Sequence, residues 1–164
     1  MTRPGGAALF MANTYSHIYI QIVFAVRGRM CLIHPTFRDE LQKYITGIVE
    51  KRDNKMLAIY CMPDHTHILI RIRPTTNLSD LVRDIKSNSS AFINSKRWLT
   101  VTFAWQSGFG AFSYTHRHVP MIIDYIRDQE KHHGKIKFRE EYFNLLKENE
   151  VEYKDEYLFE SYDN

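Results

Sequence analysis

Two stretches of this chain alternate with a period of two. In TYSHIYIQIVFAV, Ile18, Ile20, Ile22 and Phe24 point one way, and Tyr15, His17, Tyr19 and Gln21 the other. In PDHTHILIRI, Ile68, Ile70 and Ile72 share one face with Thr66, while His65, His67, Leu69 and Arg71 share the opposite one, because successive side chains of a strand leave on opposite sides. Each stretch is therefore a half-buried strand with an isoleucine face that needs a core. The partner of the imidazole face is the open question.

The intervening segments supply that core. Pro35 opens a helix through about Lys51, with Phe37, Leu41, Tyr44, Ile45 and Ile48 at helical spacing. MLAIYCM is a short apolar strand, and Pro63-Asp64 turns it into the histidine strand. Asn77 or Ser79 caps a second helix whose inner stripe is Leu78, Leu81, Val82, Ile85, Ser89, Phe92 and Ile93. VTFAWQ and GAFSYT flank SGF as a hairpin, Pro120 lies in the first turn of a helix to about His132, and a last amphipathic helix covers about Phe138 to Lys147. The order strand, helix, strand, strand, helix, strand is that of an α+β, ferredoxin-like (RRM-like) β-α-β-β-α-β sandwich. Its antiparallel sheet carries helices on one face, with a tyrosine-bearing helix appended. The histidines would then stand on the uncovered face.

With 164 residues, 44% hydrophobic and 25% charged, the chain has the balance of a single globular domain. Residues 1–12 read as an N-terminal extension, a tag or a disordered segment ahead of a natural start at Met11, which leaves 13–164 as the domain. No apolar run approaches the ~18 residues of a membrane span. Two cysteines, Cys31 and Cys61, make neither a disulfide framework nor a CxxC metal motif, and fit a reducing cytoplasm. Residues 1–139 hold 20 Lys and Arg against 10 Asp and Glu, a net of +10, whereas residues 140–164 hold 2 against 9, a net of −7. A basic body suits a polyanion, since neutralised phosphates release counterions. The acidic tail could shield that body or be a solvated end.

Same-face residues of a strand sit ~6.5–7 Å apart, close enough for two imidazoles to chelate one ion. In VPMIIDYIRDQEKHH, Tyr125 and Gln129 are four apart and share a helix face, with His132 and His133 near it. An amide oxygen with two imidazoles leaves open positions for water and phosphate, which suits Mg²⁺ or Mn²⁺ better than a closed zinc site. By spacing alone, ordinary surface or core histidines and an exposed helix account for the same residues.

Several motifs together resemble one family. MPDHTHILI resembles the His-hydrophobic-His motif of the single-tyrosine HUH transposases, the superfamily of single-stranded insertion-sequence transposases and their REP-associated relatives. IKSNSSAFIN is similar to that family's Lys-then-Ser-Ser helix, FAWQSGFGAFSY to its Trp-Gln-x-Gly hairpin, and YIRDQEKHH to its Tyr-x-x-x-Gln helix with paired histidines. KFREEYFNLLKENEVEYKDEYLFE is similar to the tail of many members. The motifs run in order from Tyr15 to Glu160. Thr66 departs from the expected hydrophobic residue, mildly, because a β-branched threonine suits a strand.

The resemblance implies a metal-dependent transposase of single-stranded DNA working through a 5′-phosphotyrosine intermediate. Tyr125 would be the nucleophile; His65, His67 and Gln129 would hold Mg²⁺ or Mn²⁺. The partners implied are hairpin-bearing DNA and a second copy of the chain, in a homodimer with composite sites. Lys86 would contact DNA or support the site. Arg71, Tyr15 and Tyr19 could clasp unpaired bases, and Arg83, Lys96 and Arg97 could meet phosphates. His17, His132 and His133 would stand around the ligands. The alternatives are a domesticated hairpin endonuclease or binder that no longer transposes, a non-catalytic single-stranded nucleic-acid-binding module, and a zinc-bound structural domain with His132 or His133 completing the ligand set.

Overall fold

A computed structural model describes residues 14–158; the extension read at 1–12 lies outside them. Four strands, β1 (Tyr19–Ala25), β2 (Lys55–Cys61), β3 (His65–Arg71) and β4 (Gly110–Tyr114), form one sheet in the order β2-β3-β1-β4. All neighbours are antiparallel, so the ferredoxin-like order is found. The register sets His65 beside Ala25, His67 beside Val23 and Leu69 beside Gln21.

Helices α1 (Pro35–Lys51) and α2 (Leu78–Lys96) cover the isoleucine face. Pro35 starts α1, where its missing N–H costs nothing. The Asn77 side chain caps α2 by accepting from the Asp80 N–H at 3.0 Å. Ile22, Phe24, Ile68 and Ile70 meet Leu41, Ile45, Leu81 and Ile85 in a closed core. Each such side chain contributes roughly 1.5–3 kcal/mol when fully buried.

The expected SGF hairpin is not formed. Val26 bridges Trp105, Gln106 N–H donates to Ala25 O at 2.8 Å, and Gly110 pairs with Val23. The two segments thus follow one another along the same edge of β1, and residues 107–109 bulge out between them. Side chains of α2 impose this path. Asn94 accepts from Phe103 N–H at 2.8 Å and donates to its carbonyl at 3.0 Å, while Trp105 Nε1 donates to Ser89 Oγ at 2.8 Å. Gly108, at φ +83°, supplies the left-handed turn of the bulge.

The histidine face is not uncovered. Beyond β4 the chain forms α3 (Val119–Arg127), α4 (Gln129–His133) and α5 (Phe138–Glu148), which close over that side. The single helix expected to run from Pro120 to His132 is interrupted at Asp128, whose φ/ψ of −94°/23° ends α3. Val119, Ile122 and Ile126 of α3 pack on Tyr19, Ala58 and Leu69, and Phe138, Tyr142, Leu145 and Leu146 of α5 pack on Val23, Ala25 and Phe112. The apolar stripes of these helices need a surface, and small or apolar residues of the sheet provide it. His65 and His67 are consequently 1% and 0% exposed.

Candidate metal and nucleophile site

Four elements converge on the buried histidines. His65 Nδ1 donates to the neighbouring Asp64 carboxylate at 2.6 Å. That bond fixes the ring so that Nε2 keeps a lone pair facing inward, and this atom is buried without a hydrogen-bond partner. His67 is held from behind by the Gln21 amide, Nε2 to Nδ1 at 3.1 Å, and Gln21 in turn accepts from the Tyr114 hydroxyl at 2.8 Å. The other His67 nitrogen, Nε2, donates to Glu141 Oε1 at 2.8 Å. His133 Nε2 lies 3.0 Å from Gln129 Oε1 and 3.3 Å from Glu141 Oε2.

Tyr125 and Gln129 come together as the helical spacing implies. Gln129 is fully buried, and its Nε2 donates to the Tyr125 carbonyl at 3.2 Å. The Tyr125 ring stands edge-on to His67 with centroids 5.9 Å apart and lies 4.8 Å from the His132 ring. Its hydroxyl hydrogen-bonds to Glu141. Burial pushes the Tyr125 phenol well above its usual range, and the Glu141 charge and hydrogen bond push it the same way. Burial alone would raise the Glu141 carboxyl; hydrogen bonds from His133 and His67 outweigh it and hold the group far below the usual carboxylate range. Burial drives His65 down to about 4 against the opposing pull of Asp64, so its ring is neutral and able to ligate.

This donor set fits a divalent cation. Nitrogens of His65, His67 and His133 and an oxygen of Glu141 all lie within 4.8 Å of one another, and the orphaned His65 Nε2 lacks only an electrophile. An open cavity of about 930 Å³ reaches the site past Arg29, Asp64, Lys137 and Phe138.

The sequence motifs did not single out Glu141, Asp64 or Gln21 as part of the site. Glu141 had a visible signal: it falls three residues after Phe138 and four before Leu145, on the inner stripe of α5, where a carboxylate is out of place. Gln21 had another, as the polar residue between Tyr19 and Val23 on the histidine side of a central strand.

The remaining expected residues lie elsewhere. Lys86 Nζ donates to the carbonyls of Gln106 (2.8 Å) and Gly108, so it braces the bulge after Trp105. Burial pushes its ammonium down to about 8. Arg83 pairs with Asp80 at 3.1 Å and lines a groove with Arg27 and Lys86. Lys96 pairs with Glu40 at 3.0 Å beside Phe92 and Trp98 in the α1–α2 layer, across the sheet from the histidines, and Arg97 ends α2 in a left-handed conformation. Tyr15 is 93% exposed, whereas Tyr19 is 4% exposed with its hydroxyl 2.7 Å from His116 Nδ1. That burial takes Tyr19 out of the role of an open stacking platform. His17 stacks on His116 at 5.5 Å, away from the metal-fitting cluster, and Arg71 lines a shallow pocket with Tyr15 and His17.

A ferredoxin-like sheet carrying a histidine pair, with a tyrosine helix folded onto it, defines an α+β protein built around a metal-fitting centre. The chain belongs to the IS200-like transposase family, whose model matches residues 14–129. Its fold is similar to that of a protein assigned as a transposase from Deinococcus radiodurans, at 19% identity and a TM-score of 0.56, over 78% of this chain and 98% of that one. It is also similar to a REP-associated tyrosine transposase bound to a REP hairpin, at 20% identity and a TM-score of 0.57, over 76% and 74% of the respective chains. No curated protein matches the chain.

Proposed function

We propose that this chain cleaves and rejoins single-stranded, hairpin-bearing DNA through a covalent link to Tyr125, with a divalent cation held by His65, His67 and Gln129. The observation that carries the reading is the meeting, within one chain, of the Tyr125 ring with His67 and of the Gln129 side chain with both the Tyr125 backbone and His133. When bound, Mg²⁺ or Mn²⁺ polarises the scissile phosphate and offsets its developing charge. Asp64 orients the His65 imidazole from behind by accepting its Nδ1–H, as partners of metal-binding histidines commonly do, and Gln21 would do the same for His67 with its amide turned to present Oε1 to Nδ1.

Tyr125 supplies the attacking oxygen. Its Oη–P bond forms as the P–O3′ bond breaks, leaving a free 3′-OH and the 5′ end on the enzyme. The bond energy stays in the phosphotyrosine, so a second 3′-OH can reseal the strand by the reverse displacement. A transposition cycle needs two such tyrosines, which a second copy of the chain would provide. Arg83, which lines the groove beside the bulge that Lys86 braces, would meet phosphates, while Arg71 and Tyr15 would receive unpaired bases. The hairpin held by the REP-associated relative supports this substrate class. We place the activity in the cytoplasm, where the free thiols Cys31 and Cys61 stay reduced. Among the described residues no helix is long and apolar enough to cross a membrane.

The test is incubation with single-stranded hairpin DNA and Mn²⁺, followed by denaturing electrophoresis. A protein–DNA band that resists denaturation is expected, and Tyr125→Phe should abolish it while leaving the protein folded. Persistence of the band in that variant would remove Tyr125 from its role. Resealing onto an added 3′-OH strand separates an enzyme that conserves the bond in phosphotyrosine from a hairpin binder that never forms the link.

A further inference from the structure

The four ligand atoms gathered at the histidines are not the set that takes a phosphate-bearing Mg²⁺. We propose that His65, His67, His133 and Glu141 form a closed N₃O site for a borderline divalent ion of the Zn²⁺ class, which clamps α5 onto the sheet and leaves no coordination position for DNA. This rests on the reading above for what it blocks, and stands apart from it as a binding site.

Geometry carries the inference. Glu141 Oε1 lies 2.8 Å from His67 Nε2 and 4.0 Å from His65 Nε2, and Oε2 lies 3.3 Å from His133 Nε2. Tetrahedral zinc with bonds of ~2.0–2.1 Å separates its ligands by roughly 3.4 Å, so side-chain adjustments of about an ångström complete the shell. The ligands come from β3, α4 and α5, elements that no covalent bond holds together side by side. His65 already presents a lone pair, with Asp64 behind it. His67 and His133 each place an Nε2 against the Glu141 carboxylate. Both must present a lone pair there instead, with the proton on Nδ1. For His67 this means that the Gln21 amide turns to offer Oε1 to Nδ1. Three imidazoles and one carboxylate suit Zn²⁺ or Co²⁺, whereas Mg²⁺ requires mostly oxygen ligands and keeps its waters.

Glu141 decides between the two states. Bound to the ion, it fills the place a phosphate oxygen would need; withdrawn with α5, it leaves His65 and His67 free for the DNA-bearing arrangement. Zn²⁺ should therefore compete with Mn²⁺ and stabilise the closed chain by mass action.

The experiment is Co²⁺ and Zn²⁺ titration of the full chain after removal of metals by a chelator, without DNA. Co²⁺ should give the intense visible bands of four-coordinate cobalt, and Zn²⁺ should bleach them and raise the melting temperature. Glu141→Gln and, independently, His133→Ala should abolish the four-coordinate spectrum. Each should weaken Zn²⁺ by more than the roughly 10–100-fold that losses outside the ligand shell cost. Circular dichroism confirms that each variant is folded; if one is not, the other decides. A six-coordinate cobalt spectrum, or Zn²⁺ affinity unchanged in a folded Glu141→Gln or His133→Ala chain, would overturn the closed site. Failure of the Tyr125 adduct with cobalt binding intact would instead count against the nuclease reading alone.

Discussion

A carboxylate enclosed by imidazoles stays ionised only if hydrogen bonds or a cation replace the water it has lost. Glu141 has His67, His133 and Tyr125 around it, and these contacts explain its strongly lowered pKa. They also tie the Tyr125 phenol to the same carboxylate, while the neighbouring His65 Nε2 keeps its unpaired lone pair. Lys86 presents a different balance. Burial alone lowers it to about 8, although two backbone carbonyls accept from it. Between that value and the unfolded 10.5 the unfolded chain binds more protons, so the Lys86 contribution to stability should grow as pH rises through the window and be lost again as pH falls through 8. Urea unfolding of the native chain and of Lys86→Met at pH 8 and pH 10 checks this: the difference should move in favour of the native chain at the higher pH. A difference that is flat or moves the other way would show that the carbonyls keep the ammonium charged. At this scale the shared strand face of His65 and His67 and the shared helix face of Tyr125 and Gln129 were legible from spacing, and the Tyr125 ring stands 5.9 Å from that of His67 while Gln129 reaches His133. Glu141 was not, because an acidic residue in a helix rich in acidic neighbours reads as solvent-facing until the packing partner of that helix is known.

At the level of elements, helical period and Pro35 located α1, the pattern located α2 with Asn77, one of its two candidate caps, forming the cap, and β1 and β3 were legible from alternation. The hairpin expected around SGF failed for a reason that lies outside local pattern. Asn94 and Ser89, far back in α2, hold Phe103 and Trp105 so that both segments lie along one edge of β1. The face left bare in the sequence reading failed similarly: α5 was recognised as amphipathic, but nothing in its pattern said which surface its stripe would meet. The structure shows the fit at Gly110, where an added Cβ would lie 2.7 Å from the Tyr142 hydroxyl and 3.1 Å from the Phe112 ring. Gly110→Ala should therefore push Tyr142, and with it α5, away from β4, at a cost of about 1–3 kcal/mol. Chemical denaturation should detect that loss, and the combination with Tyr142→Phe should cost less than the sum of the separate changes. Additive costs would mean that α5 yields elsewhere.

The whole molecule is a sheet packed on both sides, and the two sides do different work. The α1–α2 side supplies stability: Phe24, fully buried against Trp105 with ring centroids 4.7 Å apart, is one of its largest members. Phe24→Ala should cost about 3–5 kcal/mol, a large share of the roughly 5–15 kcal/mol that holds a domain folded, and thermal denaturation would report it. A loss below about 1 kcal/mol would mean the cavity collapses freely. The α3–α5 side gathers His65, His67, Tyr125 and Glu141, and its last helix closes over them. The most direct trial of the phosphotyrosine claim is to digest the DNA-linked protein with protease and nuclease and locate the modified peptide by mass spectrometry. The nucleotide remnant should sit on Tyr125. A remnant on any other tyrosine, or cut DNA with no remnant at all, would contradict the assignment.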